Sequence, residues 1–278
     1  VSLSVGAALA QARGLGLDRL DAQLLLAQVL ARPRAWLLAH DDHLLYPAQA
    51  EALARSCRRR ADGEPLAYLL GEREFHGLRL HITPAVLVPR PDTETLVDWA
   101  LELLAVEHAN VAAPAVADLG TGSGAIALAL KHRHRGASVC AVDNDPAALE
   151  VARANAATLG LVVEFCQGDW LQPLAGRSFH MLVSNPPYIA ASDPHLAALR
   201  HEPQQALTPG GDGLGAIERI VRAAPACLVG GGWLLLEHGH EQAQSVQRRL
   251  AGAGFTQLQT RRDLAGRPRC TGGRLPVR

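Results

Sequence analysis

The chain has 278 residues, 48% of them hydrophobic, with 27 basic residues against 27 acidic ones. That length holds a full α/β domain and a small companion, and the charge balance excludes a global field for gathering a polyanion. Lys131 is the only lysine and His132 follows it, so no G-x-x-x-x-G-K-[ST] segment exists and a P-loop NTPase is excluded.

Residues 1–72 read as a small helical domain. Leu20, Leu24, Leu25, Ala27 and Leu30 recur at helical spacing after Asp18 and Asp21. Shorter helices are predicted around Trp36-Leu37-Leu38 and over 48–60, with Pro33, Pro47 and Gly63 as punctuation. Arg58-Arg59-Arg60 reads as a solvated helix end favoured by the C-terminal dipole, or as a contact for an acidic partner. Residues 73–90 form a linker. Within it Glu74-to-Ile82 alternates apolar residues around Gly77, predicting a hairpin, and Val88-Pro89-Arg90 leads on as a stiff extended segment. Arg90 is either a salt-bridge anchor or a substrate contact. Pro91 opens the third region, 91–278, where Asp92 or Thr93 is placed to cap a helix carrying Leu96, Val97, Trp99 and Ala100.

From residue 114 short apolar strands alternate with helical stretches, the pattern of a doubly wound α/β sheet. Strands are predicted near 115–118, 138–143, 162–167, 180–184, 232–237, 254–260 and 268–273. Pro268 and Gly272-Gly273 make the last of these a poor ladder. Ligands in such sheets bind beyond the carboxyl ends of the strands, and four features fall there. Gly120-Thr121-Gly122-Ser123-Gly124 follows the first strand; its G-x-G-x-G spacing differs from the dinucleotide fingerprint and from a G-x-S-x-G elbow. Its glycines let backbone approach a ligand closely, or merely make a tight turn. Asp143 ends the second strand, placed to accept from ribose hydroxyls or to cap a helix. Asp169 and Trp170 follow the third, Asp169 as an acceptor, Trp170 as a stacking surface or a core aromatic.

The fourth is Asn185-Pro186-Pro187-Tyr188. An NH2 group on an sp2 carbon is a poor nucleophile because its lone pair is delocalised. A site that alkylates it must hold the N–H groups and turn the lone pair toward an electrophile. The Asn185 side-chain oxygen and the Pro186 carbonyl offer two acceptors, the prolines bring no competing N–H, and Tyr188 offers an aromatic face.

Asp118-to-Gly124, Asp143 and Asn185-to-Tyr188 resemble the class I S-adenosylmethionine-dependent methyltransferases that act on planar nitrogen. Val88-Pro89-Arg90-Pro91-Asp92-Thr93-Glu94, Glu202-Pro203, Ala206-Leu207, Gly211-Asp212-Gly213-Leu214 and Leu235-Leu236-Glu237-His238-Gly239 narrow the resemblance to the release-factor glutamine methyltransferase family. That resemblance implies a Rossmann-like, mostly parallel sheet with an antiparallel C-terminal strand, and a helical N-terminal domain that helps hold the protein substrate. It also implies S-adenosylmethionine as methyl donor, S-adenosylhomocysteine as product, and peptide chain release factors as partners. Asn185, Pro186 and Tyr188 are then the catalytic set, Pro187 joins them in substrate binding, and Gly120 to Gly124, Asp143, Asp169, Trp170 and Asn185 hold the donor. Two alternatives share the site: methylation of a ribosomal protein glutamine, or of an exocyclic base amine in nucleic acid. The second calls for a basic groove that balanced charge does not promise. Outside that chemistry stand a non-catalytic cofactor-binding module and, weakest on glycine spacing, an NAD oxidoreductase.

Five cysteines, at 57, 140, 166, 227 and 270, are odd in number and form no C-x-x-C, which suits apolar thiols in a reducing compartment. His238-Gly239-His240 lacks the further ligands a metal needs, so none is expected. No run reaches membrane-spanning length and the first residues lack a signal-peptide layout, so a cytoplasmic monomer without membrane or direct nucleic-acid contacts is expected. Eight arginines against one aspartate from Ser245 onward leave either a solvated edge or an attraction to ribosomal RNA or an acidic protein face.

Overall fold

The computed structural model describes residues 3–277, and the chain divides into two compact units, one ending at Glu72 and one beginning at Arg73.

The first unit contains β1 (Leu3–Ser4), α1 (Val5–Gly14), α2 (Arg19–Leu30), α3 (Arg34–Ala39), β2 (Leu44–Leu45), α4 (Pro47–Ala61) and α5 (Leu66–Leu70). Ser4 and Asp18 cap α1 and α2, their side chains accepting from the Ala7 and Leu20 N–H groups at 3.3 and 2.6 Å. The buried stripe of α2 is Ala22, Leu25 and Leu26, packed with Val5, Leu37 and Leu53. Leu20, which the periodicity assigns to that face, is 44% exposed; as the first turn's second residue it sits beside the cap rather than over the core. The arginine run is partly tied down. Arg59 binds both Glu64 oxygens and Arg60 binds Asp21 at 2.6 Å.

In the second unit β3 (Glu72–Phe75, starting at the boundary) and β4 (Leu78–His81) form the hairpin, followed by α6 (Glu94–Glu107). Then come β5 (Ala115–Leu119), α7 (Ala125–Arg133), β6 (Ser138–Asp143), α8 (Pro146–Leu159), β7 (Glu164–Gln167) and β8 (Phe179–Ser184). The chain closes with α9 (Gln204–Leu207), α10 (Gly215–Ala223), β9 (Leu228–Glu237), α11 (Ala243–Gly252), β10 (Thr256–Arg262) and β11 (Pro268–Arg274). Seven strands make one sheet in the order β10-β11-β9-β8-β5-β6-β7. β5 to β9 pair in parallel, while β11 runs antiparallel between β9 and β10. The antiparallel strand is therefore the second from the edge.

Alternate side chains explain the layering. Ala117, Leu119, Cys140, Val142, Leu182, Leu234 and Leu236 pack with Ile217 and Ile220 of α10 and Val246 and Leu250 of α11. Val139 and Ala141 point the other way, onto Ala127 of α7. Strands covered on both faces read as continuous apolar runs, as these do. β7 starts two residues later than the pattern predicts because Leu161 still caps α8, its N–H bonding to the Ala156 carbonyl after Gly160 turns left-handed. β11 pairs regularly with β9, but its ladder to β10 shifts register beside Gly272-Gly273 and beside Pro268, in line with the expected poor ladder. A Cβ at Gly272 would lie 2.5 Å from Leu235 Cδ2 and 2.8 Å from Trp99 Cη2, so neighbouring side chains fill that space. Pro268 occupies the first strand position, where no ladder donor is lost inside the strand.

Candidate active site

The chain turns back at β5: β6 and β7 lie on one side, β8 and β9 on the other. Beyond the carboxyl ends of these strands lies a cavity open to solvent, with walls from Gly120, Gly122, Asp143, Asp169, Trp170, Asn185 and Pro187. Such a switch point is where doubly wound sheets bind ligands.

Gly120 has φ +74, and a Cβ there would lie 3.1 Å from Trp170 Cζ3. Glycine thus lets the turn's backbone lie against the indole and form the floor. Thr121 faces inward. Its buried hydroxyl donates to Asp118 Oδ2 at 2.6 Å, and the same oxygen accepts from the Ala127 N–H at 3.2 Å. Asp118 is wholly buried, and desolvation pushes its carboxyl up to about 7. Ser123 is also buried, its carbonyl accepting from Asn155 Nδ2 at 2.9 Å, and Gly124 opens α7. Of the five turn residues, Gly120 and Gly122 line the cavity, whereas Thr121, Ser123 and Gly124 shape the turn from behind.

Asp143 is held by backbone. The Gly122 N–H donates to Oδ2 at 2.8 Å and the Asp145 N–H to Oδ1 at 3.0 Å. Burial raises its pKa, with these bonds and one from the Asn144 backbone opposing; of a carboxylate's roughly four acceptor sites, about one is left for another donor. The helix cap is Asp145 instead, accepting from the Ala147 N–H at 2.9 Å. Asp169 lines the cavity while paired with Arg219 of α10. Trp170, at φ +51, serves both readings: one part packs on the core and another faces the cavity.

Ser184 ends β8, its hydroxyl donating to the Leu119 carbonyl at 2.6 Å and pinning the two strand ends together. Next, Asn185 Nδ2 donates to Thr93 Oγ1 at 3.2 Å. That commits the amide nitrogen and leaves Oδ1 as the end able to accept. Pro186 is buried and Pro187 lines the cavity. Tyr188 follows, held at both ends. Its ring is half-buried against the core, its hydroxyl donates to Glu237 Oε1 at 3.3 Å, and its carbonyl accepts from Gln242 Nε2 at 3.0 Å. Arg90 is settled as an anchor: it pairs with buried Glu202, whose other oxygen accepts from the Val88 N–H at 3.1 Å.

The sequence gives no sign of roles for Ala85-Val86-Leu87, Gln205, Asn155 or Arg219, and Thr93, expected as a helix cap, stands at the cap position of α6 without a side-chain capping bond. The first two line the cavity from segments without strong periodicity. Thr93 and Asn155 are buried polar residues, visible in sequence only as a threonine before a helix and an asparagine inside one. Away from the cavity, the Cys140 and Cys166 sulfurs lie 3.6 Å apart beside Glu164, although the sequence shows no cysteine motif. Arg177 holds both Glu164 oxygens, and burial pushes the Cys140 thiol up to about 12, both unfavourable for a cation. His238 uses its ring on the Gly239 carbonyl and Thr271. Among the late arginines, Arg261, Arg269 and Arg274 pair with Glu102, with Asp92 and Asp263, and with Glu107.

Comparison with known proteins agrees with this geometry. Residues 93–253 match the methyltransferase small domain and residues 3–71 the PrmC N-terminal domain. The release factor glutamine methyltransferase of Bordetella pertussis is 49% identical over 263 residues, covering 94% of this chain and 96% of that protein. The protein of the same name from Coxiella burnetii is 46% identical over 249 residues, 89% of this chain and 88% of its own. Among solved structures, the N-terminal domain of human METTL16 aligns with TM-score 0.53 at 16% identity, over 84% of this chain and 83% of that one. A Thermus thermophilus 16S rRNA methyltransferase aligns with TM-score 0.55 at 20% identity, over 73% of this chain and 49% of its own. Those two likenesses establish the fold. Identity near one half along almost the whole chain, together with both domain matches, places this chain in the release factor glutamine methyltransferase family.

Proposed function

We propose that the protein transfers a methyl group from S-adenosylmethionine to the side-chain amide nitrogen of the glutamine in the Gly-Gly-Gln motif of bacterial peptide chain release factors. The observation that carries this is Asn185 at the end of β8, on the wall of the cavity that the glycine turn and Asp143 also line. The walls suit the donor: close backbone at Gly120, a carboxylate at Asp143 for hydroxyl donors, and an indole at Trp170 for a planar ring.

S-adenosylmethionine brings a methyl group already activated on its sulfonium, so the protein need supply neither an acid nor a metal. The chain's task is orientation. Asn185 Oδ1 and the Pro186 carbonyl accept from the two N–H groups of the substrate amide and turn its lone pair toward the donor. As that nitrogen gains positive character these bonds strengthen, so the stabilisation falls mainly on the transition state. The proton leaves to solvent after transfer. The helical unit ending at Glu72 helps hold the release factor, and a monomer in the cytoplasm suffices, because the second unit supplies the whole cavity.

Purified protein with methyl-labelled S-adenosylmethionine should label a release factor and leave its Gly-Gly-Gln Gln→Ala form unlabelled. Label on ribosomes or nucleic acid alone would replace the substrate, and no label with donor binding intact would point to a non-catalytic module.

A further inference from the structure

We propose that the tip of the β10–β11 hairpin, with Leu264 at its apex and Arg262 and Arg267 on its flanks, is a docking element for the release factor; this rests on the functional reading above and adds a surface to it. β11 starts beside the end of β9, with Cys270 opposite Glu237. The turn 263–267 therefore stands on the rim that holds the cavity. In the sheet order it lies beyond β9, on the Asn185 side and away from Asp143 and Asp169. Two to three strand spacings of about 4.8 Å put it roughly 10–15 Å from the end of β8. A folded domain of 100 residues has a radius of gyration of about 13 Å. A protein whose glutamine reaches Asn185 is thus broad enough to lie across this rim.

Exposure singles out the tip. Among the described residues of the second unit, the strongly exposed large apolar side chains are Val106, Val162, Leu264 and Val277. Val106 is near the end of α6, Val162 just ahead of β7 and Val277 after β11, all toward the amino ends of the parallel strands. Of these only Leu264 shares the cavity's rim, and it is fully exposed. A single exposed apolar side chain is ordinary on any surface, but this one is held out by a fixed turn. Asp263 is buried, its N–H donating to the Arg267 carbonyl and its carbonyl accepting from the Gly266 N–H, both at 2.9 Å. Its carboxylate accepts from the Arg267 N–H at 2.9 Å and from the Arg269 guanidinium at 3.1 and 3.3 Å. Arg269 reaches on to Asp92 at 3.0 Å, one residue before the Thr93 that takes the Asn185 amide nitrogen. The tip is thereby tied to the segment that holds Asn185.

Charge names the partner. Arg261, Arg269 and Arg274 meet carboxylates, and Arg248 and Arg249 bond Ser245 within α11. Arg262 gives its guanidinium to the Gly266 carbonyl at 2.7 Å, and exposed Arg267 has no side-chain partner among the described residues. Two cations without counter-charge beside an exposed leucine fit an apolar hollow edged with carboxylates, the usual layout of a protein interface. A phosphate backbone would suit the arginines and leave Leu264 without a contact.

The test compares wild type, Leu264→Asp, Leu264→Met and Arg267→Glu in release-factor methylation, with donor Kd by calorimetry, melting temperature, and retention of ribosomal RNA on a filter alongside. Neither side chain packs on the fold, so melting temperatures should match wild type. Leu264→Asp should raise the KM for release factor about tenfold, the size of a lost interface anchor, with kcat and donor Kd within about twofold. Leu264→Met keeps an apolar tip and should hold KM within about threefold of wild type. Arg267→Glu should raise KM by a smaller factor and flatten its rise with salt. A KM within twofold of wild type in both Leu264→Asp and Arg267→Glu would overturn the docking role alone. Unchanged KM with RNA retention lost would overturn it in favour of nucleic acid. A wild-type protein that labels no release factor would overturn the functional reading and this inference with it.

Discussion

Gly213→Ala offers the sharpest structural test of the site. Gly213 has φ +82, and a Cβ built on it lies 2.2 Å from the Tyr188 carbonyl oxygen and 3.0 Å from the Ala190 nitrogen. Both obstacles are backbone, so no rotamer change relieves them. Ordinary contact begins near 3.4 Å, which requires the two segments to part by about 1 Å. The carbonyl that must yield is the one accepting from Gln242 Nε2, two residues past Pro186. Displacement of about 1 Å at a positioning group costs on the order of 10²-fold in rate. The left-handed backbone adds about 1–2 kcal/mol of strain for any residue with a Cβ. Gly211 supplies the control. It sits in the same loop at φ +57 with nothing within 4 Å of its Cβ position, so Gly211→Ala bears the strain without the collision. Initial rates of methyl transfer and thermal melts on both variants separate the two effects. Both should lose several degrees of melting temperature at about 2–4 °C per kcal/mol. Only Gly213→Ala should lose about two orders of magnitude in kcat. Activity of Gly213→Ala within threefold of Gly211→Ala would refute the argument that this loop sets the Asn-Pro-Pro-Tyr turn.

Asn185→Ala removes the acceptor itself and should cost about 10²–10³ in kcat; single-turnover rates within threefold of wild type would remove Asn185 from the mechanism. Asn155→Ala should destabilise by about 2–4 kcal/mol, because a buried side chain there bonds the His81 N–H at 2.7 Å, the His81 carbonyl at 3.0 Å and the Ser123 carbonyl at 2.9 Å. A denaturant midpoint unchanged from wild type would refute it. Stability should also fall as pH rises toward neutrality. Asp118 and Glu237 start from 3.8 and 4.5 and are raised by burial to about 7, so the fold keeps their protons after the unfolded chain has lost them. Their contribution is complete below about pH 4 and is lost as pH passes through about 7. His238, lowered by burial, acts in the opposite sense below its ordinary 6.5. Asp118→Asn isolates the first effect: its melting temperature should vary less than wild type's between about pH 5 and 8, and an equal slope would remove Asp118 from the account.

What the sequence discloses about this site is mostly backbone. Glycine at 120 and 122, prolines at 186 and 187, and aspartate at the end of β6 announce where the chain turns and which strand ends share a rim, and the structure gathers all of them but buried Pro186 around one cavity. Side-chain partnerships are the part that stays hidden, because they depend on which distant segment arrives. Thr121 looks like a ligand-facing hydroxyl until Asp118, three residues earlier, is found buried with no other use for Oδ2 than the turn itself. The Tyr188 hydroxyl finds Glu237 of β9, 49 residues away, and no local pattern announces that partner. Asn185 and Thr93 are 92 residues apart, and neither local propensity nor periodicity links them. The same distinction separates what the motif performs from what makes it reliable. Asn-Pro-Pro-Tyr can present two acceptors in any protein that contains it. In this fold Thr93 takes the Asn185 amide nitrogen at 3.2 Å, and that contact leaves Oδ1 as the end that can accept.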